Sequence, residues 1–280
     1  MLFLQSHHIA DLYVWVDDLL PKRIQNPLGG RPSSLADGEL ITLLVWNTLI
    51  IRQKTIKDLH AWAMMYHQHD FPRLPNYNAF LNHCHRVMPV CAALLGQLLS
   101  DEAPIRILDS TMLPVCKHKR ADDHKVARTL ANFGKNWQGW HYGFKLHISV
   151  DLRGKLCAVV FTEASIFDGK VAPSLVNELT KIAVGDGSYN GKKLRDELWR
   201  NKGIFMLAPP HPAHKTKLTA PWQHFLLSYR SKIETVFDFL KEHLHLVTSF
   251  ARSVKGYLMH YVRILLGYQI LCLAQSTAKK

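Results

Sequence analysis

The chain has 280 residues, 48% of them hydrophobic, with 35 Lys and Arg against 22 Asp and Glu, a formal charge of +13 with neutral histidines. That apolar content fills one large core or two modest ones and excludes a disordered basic tail, while the charge excess is a long-range attraction to polyanions, an argument about partners and not about fold. Cys84, Cys91, Cys116, Cys157 and Cys272 are odd in number and show no C-x-x-C pair, which excludes a disulfide framework and a structural zinc site and predicts small buried thiols in a reducing cytoplasm.

The start, Met1 to His8, has neither a basic segment nor a cleavage site, so no signal peptide is expected. Residues 1–100 read as a helical domain, with helices expected over Ser6–Leu20, Ser34–Ile51, Thr55–His67 and Tyr77–Leu99. The second has a start signal in Ser34 to Asp37 with Glu39 in its first turn. Phe71-Pro-Arg-Leu-Pro-Asn76 is a turn. The helix after it carries Asn78, Asn82, His83 and Arg86, residue types that reach phosphates or base edges. A helix-turn-helix and a plain helical bundle with a solvated polar face both account for them.

The period changes after Pro104. Ile105–Asp109 reads as a strand, Lys117 to Lys125 as a charged loop, and Tyr142–Asp151 with Lys155–Glu163 as a hairpin turning at Asp151-Leu-Arg-Gly154. Tyr142, Phe144, Leu146, Ile148 and Val150 should share one face. Asp168 is expected to cap a helix running to about Leu179. A strand over Lys181–Gly185, a helix over Lys192–Lys202 closed by Gly203, a strand over Ile204–Ala208 and a long helical region from about Ser228 complete the order. This is a mixed sheet with helices, an α/β arrangement. The domains are expected at 1–100 (helical), 101–250 (sheet) and 251–280, a C-terminal helix packed on the sheet domain. The apolar run Ile264–Leu273 is too short to span a bilayer, and Arg263 and His260 interrupt it upstream, so a buried core helix is expected, with no membrane partner.

Three carboxylates stand out. Ile105, Ile107 and Asp109 alternate on one strand, and Ile182, Val184 and Asp186 on another, so two parallel strands would hold Asp109 and Asp186 side by side at the carboxyl edge of a sheet. Glu234, inside the helical stretch Arg230 to Lys241, would complete a set of hard oxygens for Mg²⁺ or Mn²⁺. Taken singly, each aspartate also reads as a turn-starting residue. Arg230 and Lys241 lie on the helix face of Glu234, placed either for phosphate contacts or for surface salt bridges. Ile233, Val236, Phe237, Leu240 and Leu244 form the stripe that packs this helix on the sheet. Asp238 is the second choice for the third carboxylate. Asp168 reads as a cap before a ligand, Asp122-Asp123-His124 as a solvated loop, and His211 with His214 as a polar loop before a zinc pair. Trp137, Trp140 and Trp222 are either core residues or platforms for an unpaired base.

The order of elements, with an acid on the first strand, an acid at the fourth and a Glu on the last helix, resembles the ribonuclease-H-like catalytic core. Arg230-x3-Glu234-x6-Lys241 matches the Arg, Glu and Lys of the signature Tyr-x2-Arg-x3-Glu-x6-Lys, and Asp186-Gly-Ser-Tyr189 resembles the second-aspartate motif, of DDE transposases of bacterial insertion sequences. The likeness is greatest to the IS nine-eighty-two group and covers about Ile105 to Leu246 and, more loosely, the helical N-terminal part. The signature tyrosine would fall at Leu227, a departure that puts any step of that tyrosine in doubt here. The resemblance implies a helical N-terminal DNA-binding domain and metal-dependent cleavage and strand transfer at the ends of an insertion sequence. Asp109, Asp186 and Glu234 would be catalytic and hold two Mg²⁺ ions roughly 3.5–4 Å apart, with Mn²⁺ able to substitute. It also implies Arg230 and Lys241 on DNA, a homodimer on double-stranded DNA bearing terminal inverted repeats and on target DNA, and a cytoplasmic, nucleoid-associated location. A silent DNA-binding regulator and a nuclease or resolvase on the same fold are the alternatives.

Overall fold

The structure is a computed structural model that describes residues 8–20, 34–136, 139–210, 220–248 and 250–277. It divides into two compact units: a helical one, holding the described residues up to Leu98, Leu244–Leu246 and those from Phe250 on, and a sheet unit over Leu99–His243 and Val247–Ser249.

The helical unit contains α1 (Ile9–Leu19), α2 (Asp37–Trp46, continued by a π turn over Asn47–Ile51), α3 (Ile56–Tyr66) and α4 (Tyr77–Leu98). At the start of α2 the Ala36 N–H donates to the Glu39 carboxylate; Ala36 has no side-chain oxygen to return the bond, so half of a capping box forms. The last helix of the chain, Val254–Thr277, also belongs here and packs on α4 and α2. The sequence places this helix on the sheet domain, and its polar residues explain the difference. Arg263 Nη1 donates to Thr48 Oγ1 at 3.3 Å and Gln269 Nε2 to the Leu98 carbonyl at 2.6 Å, both bonds within the helical unit. The helix is long and apolar enough to cross a membrane by length and composition, and most of it is buried inside this unit. Burial holds His260 neutral, pushed down to about 3, so Arg263 is the cation of this core.

In the sheet unit the strands are β1 (Ile105–Cys116), β2 (Asn132–Asn136), β3 (Gly139–Val150), β4 (Leu156–Glu163), β5 (Ile182–Val184) and β6 (Phe205–Leu207). The order is β4-β3-β1-β5-β6, with β2 pairing β3 beyond the end of β4. β3 runs antiparallel to β1 and β4, while β5 runs parallel to β1 and β6 parallel to β5. Three antiparallel strands followed by two parallel ones make a ribonuclease-H-like sheet. Short α5 (Asp168–Val171) and α6 (Lys192–Lys202) cover one face; α7 (Pro221–Ser228) and α8 (Arg230–Asp238) lie on the other. Gly203 closes α6 at φ 63°, as its position predicts.

Three expectations shift. β1 runs on past Asp109 to Cys116, because Ser110 to Pro114 keep the antiparallel ladder to β3. The helix at Asp168 stops at Val171 and passes into a 3-10 turn over Ala172–Ser174, where Pro173 has no N–H to continue an α-helix. After α8 the chain makes a π turn over Phe239–His243.

The ladder tightens at Gly143, opposite Pro114, next to the register shift between Pro114 and Cys116. A Cβ at Gly143 would lie 2.2 Å from the Leu113 carbonyl oxygen. Gly143→Ala is therefore expected to destabilise the fold by about 1–3 kcal/mol, seen as a lower melting temperature; a wild-type melt would mean the bulge yields freely.

Candidate functional site

The parallel pair sets the site. Ile105 pairs with Ile182 and Ile107 with Val184, and Asp186, two residues past the end of β5, lies near enough to Asp109 to raise its pKa. Ile105, Ile182, Val184, Leu207, Leu226 and Leu227 pack together beneath α7, which fixes the face: Asp109 continues the line of Ile105 and Ile107, and α8, on this side of the sheet, packs against β1. Asp186 starts a 3-10 turn over Gly187–Tyr189 and accepts the Ser188 N–H at 2.9 Å. That turn tucks Tyr189, fully buried, under the strand ends.

Asp109 is the most perturbed acid of the site. Burial pushes its carboxyl up to about 7; the Ser110 N–H, donating at 2.7 Å, pulls it back, Asp186 adds to the rise, Arg230 opposes it and Asp168 adds again. Tyr189 is pushed far up, by burial first and then by Asp168, Asp109 and Asp186. Its hydroxyl makes no hydrogen bond among the described residues. Asp168 and Asp186 thus act on Asp109, and all three act on one phenol.

A raised carboxyl leaves a mark on stability. The folded chain binds more protons at Asp109 than the unfolded chain between the ordinary carboxylate range and about 7, so this group's contribution falls as pH rises through that window. Asp109→Asn removes that loss. Metal-free wild-type protein should therefore lose melting temperature relative to the Asn variant between mildly acid and mildly alkaline pH, and parallel curves would contradict the buried setting of Asp109.

Glu234 stands apart. Its side chain is 61% exposed and 3.8 Å from Arg230. Among the described residues no group of three or more His, Cys, Asp or Glu side chains is gathered closely enough to hold a metal ion. Asp186 lies near enough to Asp109 to raise its pKa, and Glu234, largely exposed, is paired with Arg230. Asp238 is exposed as well and acts on Lys241. Both cations are near Asp109: Arg230 shifts it, and Lys241, part-buried and lowered by that burial, feels Asp238 and Asp109. The π turn, with more residues per turn than an α-helix, carries Lys241 off the line through Glu234. As a donor set, two adjacent carboxylates, one of them buried against its own charge, suit a divalent cation that would neutralise both.

The other candidates separate cleanly. Asp168 begins α5 but is not its cap, which is Phe167; its carboxylate takes bonds from Ser110 and Lys145 instead. Periodicity gives no sign of this, because Lys145 reaches it only through the sheet register. Asp122 and Asp123 are exposed in a turn. Trp140 is 55% exposed with Lys135 Nζ 5.8 Å from its ring centroid, and Trp222 is 45% exposed beside Phe205, so neither is a core residue. Trp137, His211 and His214 lie outside the described residues. In the helical unit Asn78 and Asn82 are exposed, but His83 is buried with Nε2 2.9 Å from Asp37, and Arg86 is 3.5 Å from the same carboxylate. His83 is thus spent on packing α4 to α2 and does not reach a DNA surface. All five cysteines are free, three of them buried.

A ribonuclease-H-like sheet with an acid on its first strand and another after the neighbouring parallel strand is the framework of the DDE enzymes. The chain belongs to the transposase DDE domain family, whose sequence model matches residues 99–254, more than half of its length. No curated protein matches it. Three solved structures show a faint likeness. The Mos1 mariner paired end complex with Mn has 15% identity and a TM-score of 0.24, over 97% of this chain and 86% of that one. The Mos1 transposase paired-end complex with left transposon end has 17% and 0.23, over 91% and 82%. A pre-cleavage Mos1 transpososome has 16% and 0.22, over 98% and 94%.

Proposed function

We propose that this transposase-family chain cuts and joins DNA at the ends of its own insertion sequence, with Asp109 and Asp186 as the centre of a two-Mg²⁺ site in which Mn²⁺ can substitute. The observation that carries the reading is the juxtaposition of Asp109 and Asp186 beside Arg230 and Lys241. When bound, the metal ions would activate the attacking water or 3′-hydroxyl and stabilise the leaving oxygen. Asp109 and Asp186 supply the oxygens that hold them. Arg230 and Lys241 take the phosphates flanking the scissile bond. Glu234 is the proposed third ligand, and its contact with Arg230 is the one that metal and DNA binding have to exchange.

The partner is double-stranded DNA with terminal inverted repeats, and then target DNA. The +13 charge favours such a polyanion. Pairing two ends calls for a homodimer, in the cytoplasm at the nucleoid, and the overall resemblance of the sequence favours the IS nine-eighty-two group. One observation favours a second reading, a DNA-binding regulator without catalysis: the exposed position of Glu234.

One experiment separates these. Full-length protein is incubated with duplexes carrying the short inverted repeats that flank its gene, with Mg²⁺ or with chelator. Metal-dependent 3′-end cleavage followed by joining to target DNA supports the transposase. Cleavage without joining points to a nuclease or resolvase, and binding without cleavage to the regulator.

A further inference from the structure

The sheet carries a second polar assembly on the face opposite Asp109. Successive residues of a strand point to opposite faces, so Ser110 turns its side chain away from the Asp109 face. Ser110 pairs with His147 and Met112 with Lys145 across β1 and β3, and Lys145 with Thr162 across β3 and β4. Ser110, Lys145, His147 and Thr162 therefore line the face covered by α5. The carboxylate of Asp168 comes down onto them. Ser110 Oγ donates to Asp168 Oδ1 at 2.8 Å and Lys145 Nζ at 3.2 Å, while Lys145 also donates to the Ile166 carbonyl at 2.8 Å.

His147 is not part of the charge balance. Its Nε2 lies 2.9 Å from Thr162 Oγ1 and its Nδ1 3.5 Å from Asp168 Oδ1, and burial opposes its protonation. Among the described residues the charge of Asp168 is met by Lys145, and both side chains are nearly out of solvent, 19% and 10% exposed.

Two buried charges are a poor way to hold α5 on the sheet. Their desolvation offsets most of their attraction, and apolar residues of similar size usually serve stability as well or better. Around them the same face is packed with Leu108, Val171, Leu175 and Ala183, so an apolar solution was at hand. What sets the polar one apart is its address. Ser110, which it grips by the hydroxyl, is the residue whose N–H holds Asp109 Oδ1 at 2.7 Å.

We propose that Asp168 is a positioning residue for Asp109: held by Lys145 and acting through Ser110, it fixes the strand segment that aims the Asp109 carboxylate at a divalent cation. This rests on the reading of Asp109 as a metal-binding residue. Ser110 works on both faces, its side chain anchored behind the sheet and its N–H orienting the carboxylate in front. Asp168 touches no reacting atom.

The test uses the full chain and Mn²⁺ alone, with free Mn²⁺ followed by electron paramagnetic resonance and melting temperature measured without metal. Asp109→Asn tests the underlying reading and should abolish binding at the site. Ser110→Ala leaves the Asp168–Lys145 pair in place and removes only the link. It should weaken Mn²⁺ binding by about 10–100-fold, the usual loss when an outer-shell partner of a metal ligand is removed, with little change in melting temperature. Ser110→Thr keeps a hydroxyl and should restore wild-type affinity. Asp168→Ala should weaken binding similarly, and combining it with Ser110→Ala should add little, because both break one chain of contacts. Wild-type affinity in Ser110→Ala, alongside loss in Asp109→Asn, would overturn the proposal and leave the metal reading standing. A lower melting temperature with unchanged affinity would make the assembly purely structural and overturn it equally. If Asp109→Asn binds Mn²⁺ as wild type does, the reading of Asp109 falls first and the positioning role with it. Should Asp168→Ala fail to fold, the Ser110 pair of variants decides alone.

Discussion

Asp109→Asn is expected to remove DNA cleavage while leaving DNA binding in place. The substitution keeps the shape of the side chain, so the Ser110 N–H still finds an oxygen at the same position, and the basic surface is untouched. What disappears is one of the two negative charges that would hold the metal ions, and with it the charge stabilisation that supplies most of the rate in phosphoryl transfer. Loss of a metal-binding carboxylate at such a site should lower cleavage by about a thousandfold or more, the scale on which electrostatic transition-state stabilisation operates. Binding to terminal-repeat DNA should persist and still weaken steeply as salt rises, since it depends on counterion release by Lys and Arg. Gel-shift and cleavage assays on the same preparation read both quantities. An Asn variant that cleaves at the wild-type rate would refute the metal role of Asp109. A variant that neither binds nor cleaves would place Asp109 in folding or DNA contact instead.

The front half of this site can be read from sequence because strand alternation is a rigid rule. Ile105, Ile107 and Asp109 share a face wherever the strand goes, and Ile182 and Val184 share one face of the neighbouring strand; the parallel register pairs Ile107 with Val184, and Asp186, two residues on, acts on Asp109. Nothing in the alternation says how far a strand continues. β1 runs to Cys116 because β3 offers a partner as far as Tyr142, which is knowledge of register and not of propensity. The same limit hides Asp168. Its link to Lys145 depends on β3 and β4 lying in a particular register, and a local pattern reads only the short helix it begins.

Helix facing is the other limit. Spacing correctly places Arg230 and Glu234 one turn apart, and they are in fact paired. It does not say which of them turns to the sheet. Phe237 settles that: it is buried in the sheet-facing stripe with Ile233 and Val236. Arg230, seven residues before Phe237, falls almost on the same line, whereas Glu234, three before it, falls to one side. The cation therefore looks toward Asp109 and the carboxylate toward solvent. Two features of the sequence lie behind this, the apolar stripe and the Arg-Glu-Lys spacing, and their relative angle decides the outcome.

That geometry separates the expected effects of Phe237→Ala and Lys241→Ala. Phe237 is 5% exposed, and truncating a buried Phe costs about 3–5 kcal/mol, a large part of the stability of an ordinary domain. Its loss should lower the melting temperature sharply and reduce activity through unfolding, so that cleavage per folded molecule changes less than cleavage overall. Lys241 sits in the π turn, part-buried, where Asp238, Asp109 and Glu242 hold its charge against the burial that lowers its pKa. Because it faces Asp109, it is not the freely exposed cation that helix spacing alone suggests. Lys241→Ala should lower stability less than Phe237→Ala, weaken DNA binding and reduce the salt slope of binding by about one, as expected for one lost phosphate contact. Lys241→Arg should recover the slope, since the charge returns even where the bidentate guanidinium changes the detail of the contact. Thermal melts and salt-dependent binding on the variants distinguish the buried side of the helix from the DNA side. An unchanged salt slope in Lys241→Ala, with a melting temperature as low as that of Phe237→Ala, would make Lys241 a structural partner of Asp238 and Asp109. The phosphate contacts of this helix would then fall to Arg230 alone, and Glu234 would have to give up its only described ion pair for that contact to form.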